Sequence, residues 1–135
     1  MAIEDLYAET LIQNYEHPRN KGSIADADAK IHEENSTCGD DITVYLKLEG
    51  KRLKEVRFEG KGCVISMGSA SLVTEALKGK SLAEIESLGK RDLFDIIGLD
   101  PGPVRLHCAS LSLRAIKEAV FAYAKKPVDA ATKEL

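Results

Sequence analysis

The chain has 135 residues, which fits one domain, and its 44% apolar and 30% charged side chains are typical of a folded protein rather than a disordered one. Nineteen basic and 22 acidic residues leave a formal net charge of −3, which argues against a nucleic-acid binder because phosphate contacts require a basic face. No apolar run is long enough to span a bilayer, and the acidic first residues lack the basic and apolar regions of a signal peptide. We therefore expect a cytoplasmic protein with no membrane partner.

The first half of the chain predicts one helix followed by strands. Apolar or neutral residues recur with helical spacing over residues 3–16, and the proline and glycine in residues 17–22 end that helix. A short strand is expected near residues 29–33. Residues 42–48 then alternate apolar and polar side chains, as residues 53–59 do after a turn. The last two segments predict an antiparallel hairpin.

The second half of the chain predicts only helices. The first covers residues 64–77, and its run of small residues at 68–71 would let another element approach closely. A capping box at Ser81 opens a short helix that ends near Leu88, and a second short helix covers residues 91–97. A rigid linker at residues 100–103 then leads into the last helix. The apolar stripe of that helix predicts a core-facing seam formed by Leu106, Ala109, Leu113, Ile116, Val120 and Tyr123.

The order of elements predicts an α+β fold in which helices cover one face of a small antiparallel sheet. We expect a single domain over residues 1–126 and a flexible, frayed tail over residues 127–135.

The three cysteines, Cys38, Cys63 and Cys108, form a poor disulfide framework because their number is odd and their spacings are 25 and 45 residues. In a reducing cytoplasm they fit metal ligation or thiol chemistry better. Cys38 and Asp40 can converge on one metal because the glycine between them permits a tight turn. Cys63 follows a strand and opens a helix, where free N–H groups and the nearby Lys61 favour the thiolate.

His107 precedes Cys108 near the start of the last helix, but neighbours on a helix point about 100° apart, so they do not form a catalytic pair. Each residue also has a purely structural interpretation: a cysteine as a small buried apolar residue, Asp40 as a turn cap, His107 as a surface histidine. Together, Asp40 and the three cysteines could form a closed zinc site or hold an iron–sulfur cluster. A cluster with one oxygen ligand should be held less firmly than one with four thiolates.

Four motifs stand in order along the chain: Y-E-H-P-R-N at residues 15–20, N-S-T-C-G-D at 35–40, G-K-G-C at 60–63 and V-R-L-H-C at 104–108. On these motifs the chain resembles the U-type iron–sulfur assembly proteins, which comprise IscU, the N-terminal domain of NifU, and SufU. The resemblance extends from about residue 5 to residue 125. It implies an α+β fold with a three-stranded antiparallel sheet, in agreement with the pattern of elements.

The resemblance also implies a non-enzymatic scaffold. Such a protein receives sulfur from a pyridoxal-phosphate cysteine desulfurase, builds a transient 2Fe–2S cluster and passes it to apo iron–sulfur proteins. By position, Cys38, Cys63 and Cys108 would be thiolate ligands and sulfur acceptors, and Asp40 would keep the cluster labile. His107 would be an alternative metal ligand. The segment that carries Cys108 is implied as the persulfide acceptor.

The chain departs from its family in several places. Position 36 is serine where the first-cysteine motif has proline. The motif that an Hsp70 chaperone recognises in IscU, L-P-P-V-K, is replaced by P-G-P-V-R at residues 101–105. The sequence therefore leaves open whether a chaperone is among the partners. The sequence of residues 109–113 is more similar to SufU than to IscU. However, SufU has an insertion between its second and third cysteines, and the 45 residues from Cys63 to Cys108 leave no room for it. His107 also stands where SufU tends to have a basic residue.

These departures leave two alternatives to the scaffold. The first is a zinc-bound sulfur-transfer partner of the SufU type, which activates a desulfurase and carries no cluster. The second is a small structural zinc protein within a larger complex. The spacing and His107 favour the scaffold. The oligomeric state stays open, a homo-oligomer included.

Overall fold

A computed structural model describes residues 3–35 and 39–135 of the chain, with side chains from residue 9 onward in the first helix. Its helices and strands, in chain order, are α1 (Ile3–Glu16), β1 (Ala29–Asn35), β2 (Asp40–Glu49), β3 (Arg52–Lys61), α2 (Val64–Leu77), α3 (Leu82–Glu86), α4 (Lys90–Ile97), α5 (Gly102–Tyr123) and α6 (Ala130–Lys133). The predicted elements are all present.

The three strands form one antiparallel sheet in the order β1-β2-β3. On the central strand the alternation of apolar and polar residues buries Ile42, Val44 and Leu46 completely. Val44 lies opposite Phe58 of β3, which is also buried. Helices α2 and α5 contact this sheet. The predicted α+β class, with a three-stranded antiparallel sheet and packed helices, is confirmed.

Helix α5 passes through the centre of the core. Along the predicted seam, Ala109, Leu113, Ile116 and Val120 are buried, whereas Tyr123 at the end of the helix is 49% exposed. The close approach predicted for the small residues of α2 occurs where α1 crosses them, because a Cβ at Gly68 would lie 2.6 Å from the carbonyl oxygen of Leu11.

Two short helices connect α2 to α5. The capping box predicted at Ser81 is present: the Ser81 hydroxyl accepts from the Glu84 N–H at 3.1 Å, and the Ser81 N–H donates to the Glu84 carboxylate at 3.3 Å. Within the described part of the chain, no helix is both long and apolar enough to cross a membrane.

Two expectations differ from the structure. The linker predicted at residues 100–103 is partly helical, because α5 already begins at Gly102. A proline in the first turn loses no hydrogen bond there, so Pro103 does not delay the helix. The tail expected to be frayed over residues 127–135 contains α6, and Leu135 is 1% exposed. The Asp129 side chain caps α6 by accepting from the Thr132 N–H at 2.9 Å, and the flexibility of this segment stays a prediction.

Candidate functional site

Three of the four predicted ligands meet at one end of the sheet. Asp40 begins β2, Cys63 directly precedes α2, and Cys108 lies in the second turn of α5. One ligand atom from each residue lies within 4.8 Å of the other two. Cys38, the fourth predicted ligand, lies outside the described residues. The fold thus brings together side chains that are 23 and 45 residues apart in sequence.

The Asp40 carboxylate is buried and only half satisfied. It is 3% exposed, and its Oδ1 accepts a hydrogen bond from the Cys63 N–H at 3.2 Å. Its Oδ2 has no hydrogen-bond partner among the described residues. A buried carboxylate oxygen without a donor is costly, and a cation bound between this oxygen and the neighbouring thiols would remove that cost. The side chains present therefore fit a metal ion or a metal cluster.

Cys63 occupies the N-cap of α2, as the sequence predicts. Its Sγ accepts from the Ser66 N–H at 3.4 Å and lies 3.6 Å from the Ser66 hydroxyl oxygen. The Ser66 hydroxyl itself donates to the Cys63 carbonyl oxygen at 3.1 Å, so Ser66 contacts both the side chain and the backbone of the N-cap residue. Cys63 is exposed, so this sulfur is open to a partner. The sequence assigned no role to Ser66, although its position three residues after an N-cap is the one that a capping side chain contacts.

Cys108 is the buried thiol of the site, with 4% of its surface exposed. The side-chain amide of Asn35 donates to its Sγ at 3.7 Å. Asn35 is itself buried at the end of β1. The sequence marked Asn35 only as a part of the first-cysteine motif, and its contact with a residue 73 positions away could not be foreseen.

Gly62 leaves the space that the carboxylate occupies. A Cβ at this position would lie 2.6 Å from Asp40 Oδ1 and 2.3 Å from Ser66 Oγ, distances that real Cβ atoms do not show. Any larger residue would displace one or both side chains. Gly62 therefore allows Asp40 to reach the backbone of Cys63.

The three candidate ligands line an open cleft of about 640 Å³. Lys61 and Arg105 also line this cleft, and both are exposed. The sequence anticipated the positive charge of Lys61 but not that of Arg105. Val104, on the same rim, is 87% exposed. The cleft can therefore place a cation among thiolates at a surface where another protein has access to it.

His107 does not join this cluster. Within residues 3–35 and 39–135, the group of close ligand atoms contains Asp40, Cys63 and Cys108, and His107 is exposed. Each step along a helix turns the side chain by about 100°, which carries His107 away from the direction of its neighbour. Its role as an alternative ligand stays a prediction.

Comparison with known proteins agrees with this geometry. Residues 6–130 match the model of the NifU-like N-terminal domain. The chain belongs to this family. It is 36% identical to the zinc-dependent sulfurtransferase SufU of Bacillus subtilis, with 87% of this chain and 91% of that protein covered.

A second relative at the same level is a scaffold. The iron–sulfur cluster assembly scaffold protein IscU of Escherichia coli is 36% identical in an alignment that covers 89% of this chain and 95% of IscU. Among solved structures, the N-terminal NifU-like protein of Brucella abortus superposes with a TM-score of 0.75 at 19% identity, over 93% of this chain and 99% of that one. The last comparison supports the fold alone. The resemblance stated from the four motifs is confirmed.

Proposed function

We propose that this NifU-like domain is a scaffold on which a labile 2Fe–2S cluster is assembled and from which it is transferred. One observation carries the proposal: Asp40, Cys63 and Cys108 converge within 4.8 Å while Asp40 Oδ2 has no partner among the described residues. Cys38 supplies the third thiolate and the fourth ligand in this proposal. His107 is an alternative ligand in this proposal.

Sulfur enters at Cys63, the exposed one of the two described thiols. The Cys63 thiolate attacks the terminal sulfur of a desulfurase persulfide; the sulfur–sulfur bond of the donor breaks, a new one forms on Cys63, and the donor cysteine leaves as a thiolate. This departs from the expectation that the Cys108 segment receives the sulfur, since Cys108 is buried. Reduction of the transferred sulfur to sulfide takes two electrons from an external donor.

The cluster that forms is cargo, and its ligands suit release. Iron–sulfur clusters are normally held by four thiolates, whereas this site offers a carboxylate oxygen in place of one of them. The open cleft leaves the cluster accessible to a recipient. Weaker ligation on one iron and an exposed rim both favour transfer over storage.

The partners of this function are a pyridoxal-phosphate cysteine desulfurase and apo iron–sulfur proteins, all in the cytoplasm. The chain performs no catalytic turnover in this proposal. It binds, accepts sulfur and hands over the product.

A second candidate uses the same residues. Two cysteines and one aspartate in close approach, completed by a third cysteine, match the tetrahedral set that zinc prefers. The Bacillus subtilis relative named as a zinc-dependent sulfurtransferase is as similar as the scaffold from Escherichia coli. In this candidate the chain holds zinc, accepts a persulfide and carries no cluster.

Anaerobic reconstitution separates the two candidates. The metal-free chain is mixed with ferrous iron, cysteine, a reductant and a cysteine desulfurase, followed by absorbance and Mössbauer spectroscopy, and then offered apo-ferredoxin. A 2Fe–2S signal that passes to ferredoxin faster than free iron and sulfide allow supports the scaffold. Tight zinc, no cluster and a faster desulfurase support the sulfur relay.

An Asp40→Ala variant sharpens this result. For a scaffold, loss of the oxygen ligand should lengthen the lifetime of the bound cluster and slow its transfer. For a zinc relay, the same change should weaken zinc binding and sulfur transfer together. Asp41→Ala is the matched control, because Asp41 is the next residue of the same strand and points to the other face of the sheet. Equal effects of the two variants would contradict both candidates.

A further inference from the structure

Asn35 connects the segments that carry the ligands. In the β1–β2 ladder it lies opposite Asp40. Its carbonyl oxygen accepts from the Gly39 N–H at 2.8 Å, which holds together the two residues that flank positions 36–38. Its side-chain amide donates to Cys108 Sγ at 3.7 Å. One buried residue thus contacts α5 with its side chain and the start of β2 with its backbone.

An amide donor next to a ligand sulfur changes how that sulfur behaves. A hydrogen bond to a thiolate stabilises its negative charge and fixes the direction of the remaining lone pairs. The effect is larger in a buried place, because little water competes for the same donor. Asn35 is 8% exposed and Cys108 is 4% exposed, so their contact is shielded in this way.

The two described thiols receive their hydrogen bonds from different sources. Cys63 receives one from the backbone of its own helix, at Ser66. Cys108 receives one from a side chain on another element, β1. The first is retained whenever α2 is formed, whereas the second depends on how β1 packs against α5.

We propose that Asn35 is a positioning residue for Cys108: its side-chain amide orients the Cys108 thiolate toward Asp40 and Cys63 and sets how tightly this sulfur holds a metal. The proposal rests on the function proposed above, because it requires that Cys108 is a ligand. It adds a residue outside the ligand set that governs metal retention.

The test uses Zn²⁺ and Co²⁺ as probes on the reduced, metal-free full chain under anaerobic conditions. Asn35→Leu keeps a similar volume and removes the donor. We expect the Zn²⁺ affinity to fall about 10-fold to 100-fold, the range found when groups that orient a ligand are removed. The sulfur-to-Co²⁺ charge-transfer band should move to longer wavelength, because a thiolate without a hydrogen bond gives up an electron more easily. Asn35→Gln, which keeps the amide, should recover part of both losses.

A double-mutant cycle with Cys108→Ser distinguishes positioning from general destabilisation. In the Cys108→Ser background, Asn35→Leu should change neither the affinity nor the charge-transfer band, since the sulfur that it acts through is gone. Asn14→Leu is the matched control; it removes contacts to Thr10 and Ser71 far from the cleft and should leave both readouts unchanged. Asn35→Ala repeats the cycle if Asn35→Leu does not fold.

The outcomes distinguish a failure of the proposed function from a failure of the role of Asn35. Absence of thiolate–Co²⁺ bands in the unmodified chain would overturn the proposed function. Normal bands in the unmodified chain, together with unchanged affinity and band position in Asn35→Leu, would overturn the role of Asn35 alone. A loss of affinity that persists equally in the Cys108→Ser background would also overturn it, because the effect would then not pass through the sulfur.

Discussion

Buried polar groups near the two ends of α5 differ in whether the protein itself supplies their partners. At its start, Cys108 faces an aspartate whose Oδ2 lacks a partner among the described residues, in an open cleft rimmed by exposed side chains. Nine residues further along, Lys117 is fully buried, and its ammonium donates to the carbonyl oxygen of Leu88 and lies 3.9 Å from Asp129. The carboxylate at the first end keeps an oxygen without a hydrogen-bond partner among the described residues. The ammonium at the second end is paired with groups of the protein itself.

Electrostatics supports this contrast. Burial lowers the pKa of Lys117, while the negative charges of Asp129 and Asp92 oppose that shift. Hydrogen bonds from Thr132 hold the pKa of Asp129 below its usual value, so Asp129 remains a carboxylate facing the ammonium. The lysine thereby ties α5 to α6 and to the loop after α3. The difference indicates that the helix is anchored at one end so that a costly, unsatisfied site can exist at the other.

Removing the anchor should give the largest effect. Lys117→Ala leaves a cavity and an unpaired Leu88 carbonyl oxygen, and we expect it to lower the free energy of unfolding by about 3 kcal/mol. Chemical denaturation of the metal-free chain measures this loss. Zn²⁺ affinity well below the melting temperature should stay the same, since the cleft is remote from the lysine.

Lys126→Ala serves as the control for this variant. Lys126 pairs with Glu86 at 3.2 Å, but 57% of its side chain is exposed, so its removal should cost less than about 1 kcal/mol. A loss of zinc affinity in Lys117→Ala at temperatures where the chain is folded would show that the two ends of α5 are not independent.

The fold was predictable from the sequence because hydrophobic periodicity reports burial directly. The alternation in β2 and the seam of α5 depend on local spacing alone, and both are present. Lys117 escaped this kind of inference. A lysine in a helix normally indicates a solvated face, and only the packing of α6 and the loop after α3 around it explains its burial.

The candidate site was predictable to the level of residue types and motifs. The identity of the candidate ligands followed from the cysteines and from the family motifs, but their surroundings did not. The Asn35 side-chain amide donates a hydrogen bond to a sulfur 73 positions away. Gly62 leaves space for the carboxylate of a residue 22 positions earlier. Contacts of this kind arise from tertiary packing, which leaves no periodic signal in the sequence.

Filling the space at Gly62 should give the next largest effect, at the open end of the helix. In Gly62→Ala the new Cβ must displace Asp40 or Ser66, so we expect Zn²⁺ affinity to fall about 10-fold. Competition with a chromophoric chelator measures it. Gly89→Ala is the control, because a Cβ there would meet nothing within 4 Å. An unchanged affinity in Gly62→Ala would mean that the carboxylate position does not govern binding, and the contrast between the two ends would lose its basis.

The smallest effect is expected at Glu118, the residue that follows Lys117 on α5. Burial and the neighbouring Glu33 raise its pKa to about 7, and Arg114 opposes the shift. The native state therefore binds more protons than the unfolded state between about pH 4.5 and pH 7, so the free energy of unfolding should fall as pH rises through that window. Glu118→Gln should remove this part of the decline and be the more stable protein at pH 8, by less than about 1 kcal/mol. Thermal melting across this pH range tests it, with the exposed Glu9→Gln as control. Glu33 lies on β1 two residues before Asn35. An accompanying pH dependence of zinc retention that Glu118→Gln abolishes would therefore mean that β1 couples Glu118 to the cleft. Parallel zinc curves in both proteins would confine the effect to stability.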